Sequence, residues 1–462
     1  MILLSVFFRK LCEAIPLLGR EMAFRAQTEG KIGYSLCGRP CWRAIGGRWS
    51  HKVFGAEGAR LPHGSGLSCA KPGLNACRVA ILAAALLLFS GCQQKGYVQI
   101  GGYAQGGSWS VKYNTDGVKV APARVQAGVE AILQDIDRTL SGYNKGSELS
   151  RLNAGDTIRP SEMLVCMYDR CYRFWQETGG ALDVAAGPLF DIWGFGFKNG
   201  SLPSDAEVAA AMAVSGMGRL VPRMEDALLP DGRICASALV DYSASGDSSP
   251  APLHNRSAIP ISLDRNSGRL TDPLPQLNFN AVAQGYSCDT VAAYLASIGV
   301  RDMLVDIGEI LCRGGNQAGK PWLIGVDRPT DGNNSPGADL DGLWESVGYA
   351  NGSAAPADIN TMPFQGIVTS GNYRKFYVRD GVKYAHTINP RTGRPAENSL
   401  LSATVVAPTA EEADGIATFL MVIGLEKAQS YILSKPDLEA YLIYRNPDGS
   451  MAEWHSPGFN LK

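Results

Sequence analysis

The chain carries almost no excess charge of either sign, with a formal net charge of −1 over 462 residues. Without a basic face or a basic run, nucleic acid is not an expected partner. Histidine is scarce, at five in the whole chain, so one that sits in a motif carries weight. The 11 cysteines include no CxxC pair and no His/Cys spacing of a zinc site. No apolar run is long enough to cross a bilayer, and no internal repeat is evident, which argues against a solenoid or propeller. What is abundant points to a globular chain with many tight turns: 45% hydrophobic residues, 53 glycines and eight tryptophans. That is enough for a sizeable core in one large domain or two smaller ones.

Residues 1–78 have five cysteines, many arginines and glycines, and no sustained helical or strand period. A basic flank ending at Arg78, an apolar run over 79–91 and a small-residue ending before Cys92 form a secretory signal. The Ser-Gly-Cys ending resembles a bacterial lipoprotein signal, whose cysteine becomes the lipidated first residue. The expectation is a non-native or mis-assigned extension over 1–78, a lipoprotein signal over 79–92 and a mature domain over 93–462. No methionine lies between Met22 and Met163, so a non-methionine start is required. The alternative is a buried helix or a short anchor.

Past Gly96 the pattern turns to short alternating runs. Residues 97–100 and 108–113 read as a strand pair around two Gly-Gly steps. Apolar residues at Val125, Val129, Ile132, Leu133, Ile136 and Leu140 predict a helix over 125–140. A second helix over 161–177 ends at Thr178-Gly-Gly180. In it Cys166 and Cys171 read as small core residues. Residues 187–196 form an aromatic, glycine-rich loop, 290–298 a helix, and 303–311 and 322–326 buried strands. Polar stretches near 243–275 and 327–363 read as surface insertions. Strands and helices alternate without a βαβ rhythm, which makes the class α+β.

The most informative stretch is 382–420. It opens with a turn, HTINPRTG at 386–393, continues through an apolar run at 401–407, and closes on ADGIAT at 413–418 at the start of a helix. Asp414 and Thr418 are four apart, so a helix puts both on one face. A carboxylate and a hydroxyl so placed are two hard oxygen ligands for Mg²⁺. On spacing alone, the commoner reading is that Asp414 caps or charges the helix start, with Thr418 merely packing.

Together with SGYNKGSELSRLN at 141–153, TGGALDVAAGPL at 178–189, NFNAVAQGYSCD at 278–289, LVDIGEI at 304–310, GVDRP at 325–329 and TSGNYRKFY at 369–377, these blocks closely resemble the ApbE family of flavin transferases. The resemblance spans about 102–432. It implies an α+β fold with mixed or antiparallel sheets packed against helices. It also implies a Mg²⁺-dependent enzyme that cleaves FAD between its phosphates and attaches FMN to a threonine of an acceptor protein, an electron-transfer subunit, releasing AMP. With the lipoprotein signal, the expected location is the extracytoplasmic, periplasmic side of a bacterial cell membrane, held by a lipid anchor.

Carried over by motif, the resemblance implies a metal held by Asp414, Thr418 and the carbonyl of Ala281. It implies a flavin site from Gln105, Tyr143, Ala181, Leu182, Asp183, Asn278, Gln284 and Ile388. The chain departs from the family's commonest pattern in four places. Asn278 and Asn389 stand for Asp, Gln284 stands for Lys, and the LVDIGEI block lacks paired glycines. Gln105 stands where many relatives carry methionine.

The chemistry asks for these residue types. Attack on a doubly anionic pyrophosphate needs its charge neutralised, and a threonine hydroxyl is a weak nucleophile that a nearby base assists. His386 is the only histidine in a motif and is the candidate base or proton relay. It also reads as a residue that only orients its turn. Tyr143 reads either as a stacking platform for the isoalloxazine ring or as an ordinary half-buried tyrosine. Two other functions fit the same residues: an FAD pyrophosphatase, with water in place of threonine, and a non-enzymatic flavin-binding lipoprotein. The anchor is testable directly. Membrane fractionation should find the protein with the membranes, and a Cys92→Ser variant soluble outside the cytoplasm or unprocessed. Native protein that is soluble and retains residues 1–70 would defeat the assignment.

Overall fold

The computed structural model describes residues 96–196, 202–241, 275–331, 333, 337, 339–346, 363–379 and 381–462. The expected extension, signal and Cys92, and nearly all of the 243–275 insertion, lie outside these residues.

The chain begins with an antiparallel hairpin, β1 (Tyr97–Ala104) and β2 (Gly107–Asn114). Both strands run further than the alternation suggested, and the turn is only Gln105–Gly106. Gln105 takes a left-handed φ of 53° there. Helices α1 (Pro122–Leu140), α2 (Glu148–Asn153) and α3 (Glu162–Glu177) follow. Ser161 caps α3 by accepting from the Leu164 amide at 3.3 Å, and Gly179 and Gly180 end it with positive φ, as its composition indicates. The aromatic stretch expected as a loop opens with a short helix, α4 (Gly187–Ile192), started by proline. Helix α5 (Asp205–Val214) has a full capping box from Ser204 and Glu207.

The helix expected from residue 290 starts seven residues earlier, as α6 (Ala283–Ser297). Its internal Gly285 sits where the Ala410 backbone passes close by. The predicted strand over 303–311 is two strands, β3 (Met303–Asp306) and β4 (Ile310–Arg313), joined at Gly308 with φ +90°. Strands β5 (Leu323–Asp327) and β6 (Leu340–Glu345) pair with each other, so part of the expected second insertion is regular structure. The chain continues through β7 (Gln365–Gly371), the hairpin β8 (Phe376–Arg379) and β9 (Val382–Ala385), and the short pair β10 (Ile388–Asn389) and β11 (Arg394–Pro395). It closes with β12 (Leu400–Ala407), α7 (Ala410–Ile423), α8 (Leu425–Leu433), β13 (Glu439–Arg445) and β14 (Met451–His455).

One eight-stranded sheet organises these elements, in the order β1-β2-β3-β4-β7-β12-β13-β14. Every neighbouring pair in it is antiparallel, so the class is α+β as expected. Every residue of β12 is buried, which is why it reads as a continuous apolar run instead of an alternating one. One of its faces packs with α7, where Val405 and Ala403 join Ile416 and Leu420. The other face meets the β5–β6 hairpin, where Val406 joins Trp322, Ile324 and Trp344. Cys166, Cys171, Cys288 and Cys312 are buried, as small core residues would be.

Among the described glycines, the closest approach to another backbone is at Ala410, the first residue of α7. A Cβ on Gly285 would lie 2.2 Å from the Ala410 carbonyl oxygen, and one on Gly366 of β7 would lie 2.5 Å from the Ala410 Cα. Both clashes are with backbone, which cannot swing aside as a side chain does. Gly285→Ala should therefore destabilise the protein by about 1–3 kcal/mol through overpacking, although Ala is the better helix former by roughly 1 kcal/mol. A urea midpoint equal to or above wild type would show that α6 and α7 separate without cost.

Candidate active site

α7 begins earlier than the motif suggested, so Asp414 is not in its first turn. The cap is Thr409, whose Oγ1 accepts from the Glu412 amide at 3.1 Å, and the acidic first-turn residues are Glu411 and Glu412. Asp414 is instead buried, at 5% exposure, in the second turn. The reading of Asp414 as a helix-start charge therefore fails. Its Oδ2 accepts one hydrogen bond, from the Gly285 amide of α6 at 3.1 Å. Burial pushes its carboxyl well above the usual range; the Gly285 amide opposes this, and the Glu411 and Asp289 carboxylates add to it. One turn on, the half-buried Thr418 holds its Oγ1 3.2 Å from the Ser370 hydroxyl of β7.

Glu309 joins this cluster, and sequence reasoning did not single it out. It follows the β3–β4 turn, and its carboxyl is held well up by burial and by the nearby Asp414, with Arg374 opposing. Its signal in the chain is an acidic residue, three after Asp306, in a mostly apolar run. Among the described residues no three His, Cys, Asp or Glu side chains are grouped as metal ligands. The donors are a buried carboxylate with one amide partner and a hydroxyl one turn away. Such hard, anionic oxygens with unmet charge suit a divalent cation such as Mg²⁺.

The flavin-motif residues gather around the start of α6. Gln105 Nε2 donates to Ser287 Oγ of α6 at 2.6 Å, while its Oε1 is buried and unpartnered. Tyr143 is 63% exposed, so the ordinary half-buried tyrosine is not what is found, and its hydroxyl accepts from Asn280 Nδ2 at 3.3 Å. Asn278 is buried; its amide donates to the Val184 carbonyl at 2.7 Å and its Oδ1 accepts from the Asn280 amide at 3.0 Å. Ala281 is half-buried just before α6. Gln284 Nε2 donates to the Ile307 carbonyl at 3.3 Å. Ala181 and Leu182 pack in the α7 core, and a Cβ on Gly415, next to Asp414, would lie 3.3 Å from Leu182 and 3.4 Å from Val282.

Asp183 has structural work: it accepts from the Ala185 amide at 2.9 Å and the Met217 amide at 3.0 Å. Burial raises its carboxyl to about 6, against those amides and the Trp175 indole. Asn153, in the SELSRLN block, ties α2 to this region with a reciprocal pair to Leu277 at 2.8 and 2.9 Å.

Two motif residues stand apart. Ile388 is 2% exposed in a separate small core with Ala186, Leu189, Trp193, Val208 and Ala211, so its side chain is packing there. His386 borders an aromatic group: its ring lies 6.4 Å from Phe195, which stacks on Tyr377 at 5.3 Å, and Tyr377 stacks on Tyr384 at 5.3 Å. Its Nδ1 lies 3.1 Å from the Lys375 carbonyl. A carbonyl only accepts, so the ring proton belongs on Nδ1 and Nε2 keeps a lone pair. Burial, helped by Lys375, lowers its pKa to about 4, so the ring is neutral at neutral pH. The turn that carries it is fixed by Arg391, which donates to the Gly179 carbonyl at 2.6 Å, and by Trp193, which donates to the Gly393 carbonyl at 2.8 Å.

The model of the ApbE family matches residues 105–442. The FAD:protein FMN transferase of Salmonella typhimurium (strain LT2) is 31% identical over 400 residues, which are 83% of this chain and 96% of that protein. The FAD:protein FMN transferase of Vibrio cholerae is 29% identical over 388 residues, 82% and 97% of the two chains. Among solved structures, the flavin transferase ApbE from Vibrio cholerae aligns with a TM-score of 0.57 at 26% identity, over 79% of this chain and 98% of its own. The apo form of Pseudomonas stutzeri flavinyl transferase ApbE gives 0.58 at 26% identity, over 79% and 96%. With most of its length matched by that model, the chain belongs to the ApbE family.

Proposed function

We propose that this chain is a Mg²⁺-dependent FAD:protein FMN transferase, lipid-anchored at Cys92 on the extracytoplasmic side of a bacterial membrane. The observation that carries the reading is the approach of α6 and α7, where the Gly285 amide meets Asp414 and the flavin-motif residues cluster alongside. The names of the relatives supply the reaction class, and the signal ending at Cys92 supports the location.

In this reading a threonine Oγ of the acceptor protein attacks the FMN-side phosphorus of FAD. The P–O–P bond breaks, AMP departs with the bridging oxygen, and the hydroxyl proton passes to a base. Asp414, Thr418 and the Ala281 carbonyl would hold Mg²⁺, which when bound neutralises phosphoryl charge and polarises a phosphoryl oxygen. Tyr143, exposed beside Asn280, offers a ring face to the flavin. Gln105, Asn278 and Gln284 present amide groups around the start of α6, and Leu182 backs that wall from within. Ala181 and Asp183 hold the backbone between α3 and α4. Ile388 shapes its turn from beneath. His386, neutral and with Nε2 free, accepts the threonine proton in passing; a pKa near 4 makes it a relay more than a resting base.

The deciding measurement is mass spectrometry of a co-expressed acceptor domain, with FAD and Mg²⁺ supplied or withheld. One FMN should be added per acceptor with AMP released, and free FMN should not substitute, since it lacks the bond that is cleaved. FAD hydrolysed to FMN and AMP without acceptor modification would mean a pyrophosphatase instead.

Asp414→Ala should lower Mg²⁺-dependent turnover by more than about 10²-fold, on the scale of losing a transition-state electrostatic group. Thr418→Val, which keeps the volume, should raise the Mg²⁺ requirement while activity returns at high Mg²⁺. An Asp414→Ala enzyme at wild-type rate under limiting Mg²⁺ would overturn the ligand set.

His386→Ala should slow turnover by about 10²–10⁴-fold with little change in FAD KM if the imidazole relays the proton. Equal losses in binding and turnover would reduce His386 to a shaping role. The wild-type rate should not depend on His386 protonation from neutrality down to about pH 5. It should fall as pH approaches 4, because the protonated ring cannot accept.

A further inference from the structure

Asp289 lies on α6, four residues beyond Gly285, and faces the first turn of α7. Its Oδ1 accepts from the Ala410 amide at 2.8 Å and its Oδ2 from the Glu411 amide at 2.9 Å. In the opposite sense, the Gly285 amide of α6 donates to Asp414 Oδ2 of α7 at 3.1 Å. The two helices therefore hold each other by reciprocal polar contacts, on either side of the Gly285–Ala410 backbone contact. A carboxylate on two amides at a helix start is favourable in itself.

Capping alone does not call for it. Thr409 already caps α7 through the Glu412 amide, and the Glu411 carboxylate is already paired with Arg170 of α3. What Asp289 adds is a tie between α6, which Ala281 precedes, and α7, which bears Asp414 and Thr418.

We propose that Asp289 is a positioning residue for the metal site. It fixes the first turn of α7 against α6, and so sets the spacing between the Asp414 and Thr418 oxygens and the Ala281 carbonyl. This inference rests on the Mg²⁺ reading above. Residues that orient metal ligands are typically worth about 10–100-fold in metal affinity, and the two-amide grip makes Asp289 such a residue without any contact to the ion.

The test is Mn²⁺ binding to purified, flavin-free protein, followed by calorimetry or electron paramagnetic resonance, alongside thermal melting. Wild type should bind, and Asp289→Asn, which keeps the volume and one acceptor oxygen, should bind about tenfold more weakly or worse. Its turnover should return at saturating Mg²⁺. Thr409→Ala is the control: it removes a cap from the same helix end without touching the tie to α6, so Tm should fall with the Mn²⁺ Kd unchanged. If Asp289→Asn gives no folded protein, Asp289→Glu keeps both oxygens, displaces them by a methylene, and should show the same loss of affinity.

Asp289→Asn binding Mn²⁺ as tightly as wild type overturns the inference, as does Thr409→Ala losing affinity in step with its Tm. Wild-type protein that binds no Mn²⁺ overturns the metal assignment itself and this inference with it. That outcome is read on a different sample, so the two failures are distinguishable.

Discussion

The architecture depends on how closely α7 approaches its neighbours at Ala410. That residue is fully buried, with Gly285 of α6 on one side and Gly366 of β7 on the other, and neither position leaves room for a Cβ. A helix, a helix and a strand thus meet backbone to backbone, at a distance that only glycine permits. Everything functional in α7 is measured from this contact. Asp414 is one turn further along and reaches the Gly285 amide, Thr418 is another turn on and reaches Ser370 of β7, and Gly415 lets Leu182 and Val282 close over the same helix.

That packing encloses several carboxylates, and their treatment differs. Glu411 is paired with Arg170 and Asp289 has two amides, although burial still lifts its carboxyl to about 7. Asp414 has one amide, with Glu309 adding repulsion close by. A buried carboxylate without a counter-charge is costly, and protonation or a cation are its two remedies. The other two acids have their compensation in the fold. Glu309 has Arg374 and a backbone hydrogen bond at Thr369 on its side, so Asp414, with its one amide, is left shortest of it, and this is the electrostatic argument for a divalent cation at this point in particular.

Much of the fold could be read from the chain. The period of α1 and the Gly179-Gly180 stop of α3 are local signals, and both helices end where the chain indicates. The elements misread were those whose extent is set from elsewhere. α6 begins seven residues before the expected 290, and the glycine it holds at 285 is explained only by the passing Ala410 backbone. Asp414 looked like a first-turn residue because the helix was expected to open at ADGIAT, whereas its cap is Thr409, four residues earlier than that opening. Glu309 and Asp289 were passed over because what gives them meaning lies about a hundred residues away, at Asp414 and at the Ala410 and Glu411 amides. Pattern singles out Asp414 and Thr418 by their spacing on one helix, although their partners, Gly285 and Ser370, are long-range too. Glu309 and Asp289 have no such companion one turn away to mark them.

The departures from the family's usual residues can be weighed in the same way. Asn278 accepts from the Asn280 amide two residues on, a bond an aspartate would also accept. Its backbone role therefore survives the exchange, and only a negative charge is lost. Gln284 donates to the Ile307 carbonyl, as a lysine there would, and only a positive charge is lost. The two losses cancel in net charge, so an anionic pyrophosphate beside them would meet about the same overall field. What differs is a mobile cationic head able to follow the phosphates, which a glutamine cannot replace. On the proposed reading, neutralising the phosphates then falls more heavily on the Asp414–Thr418 site. That raises the demand on the α6–α7 spacing that Gly285, Ala410 and Asp289 set between them.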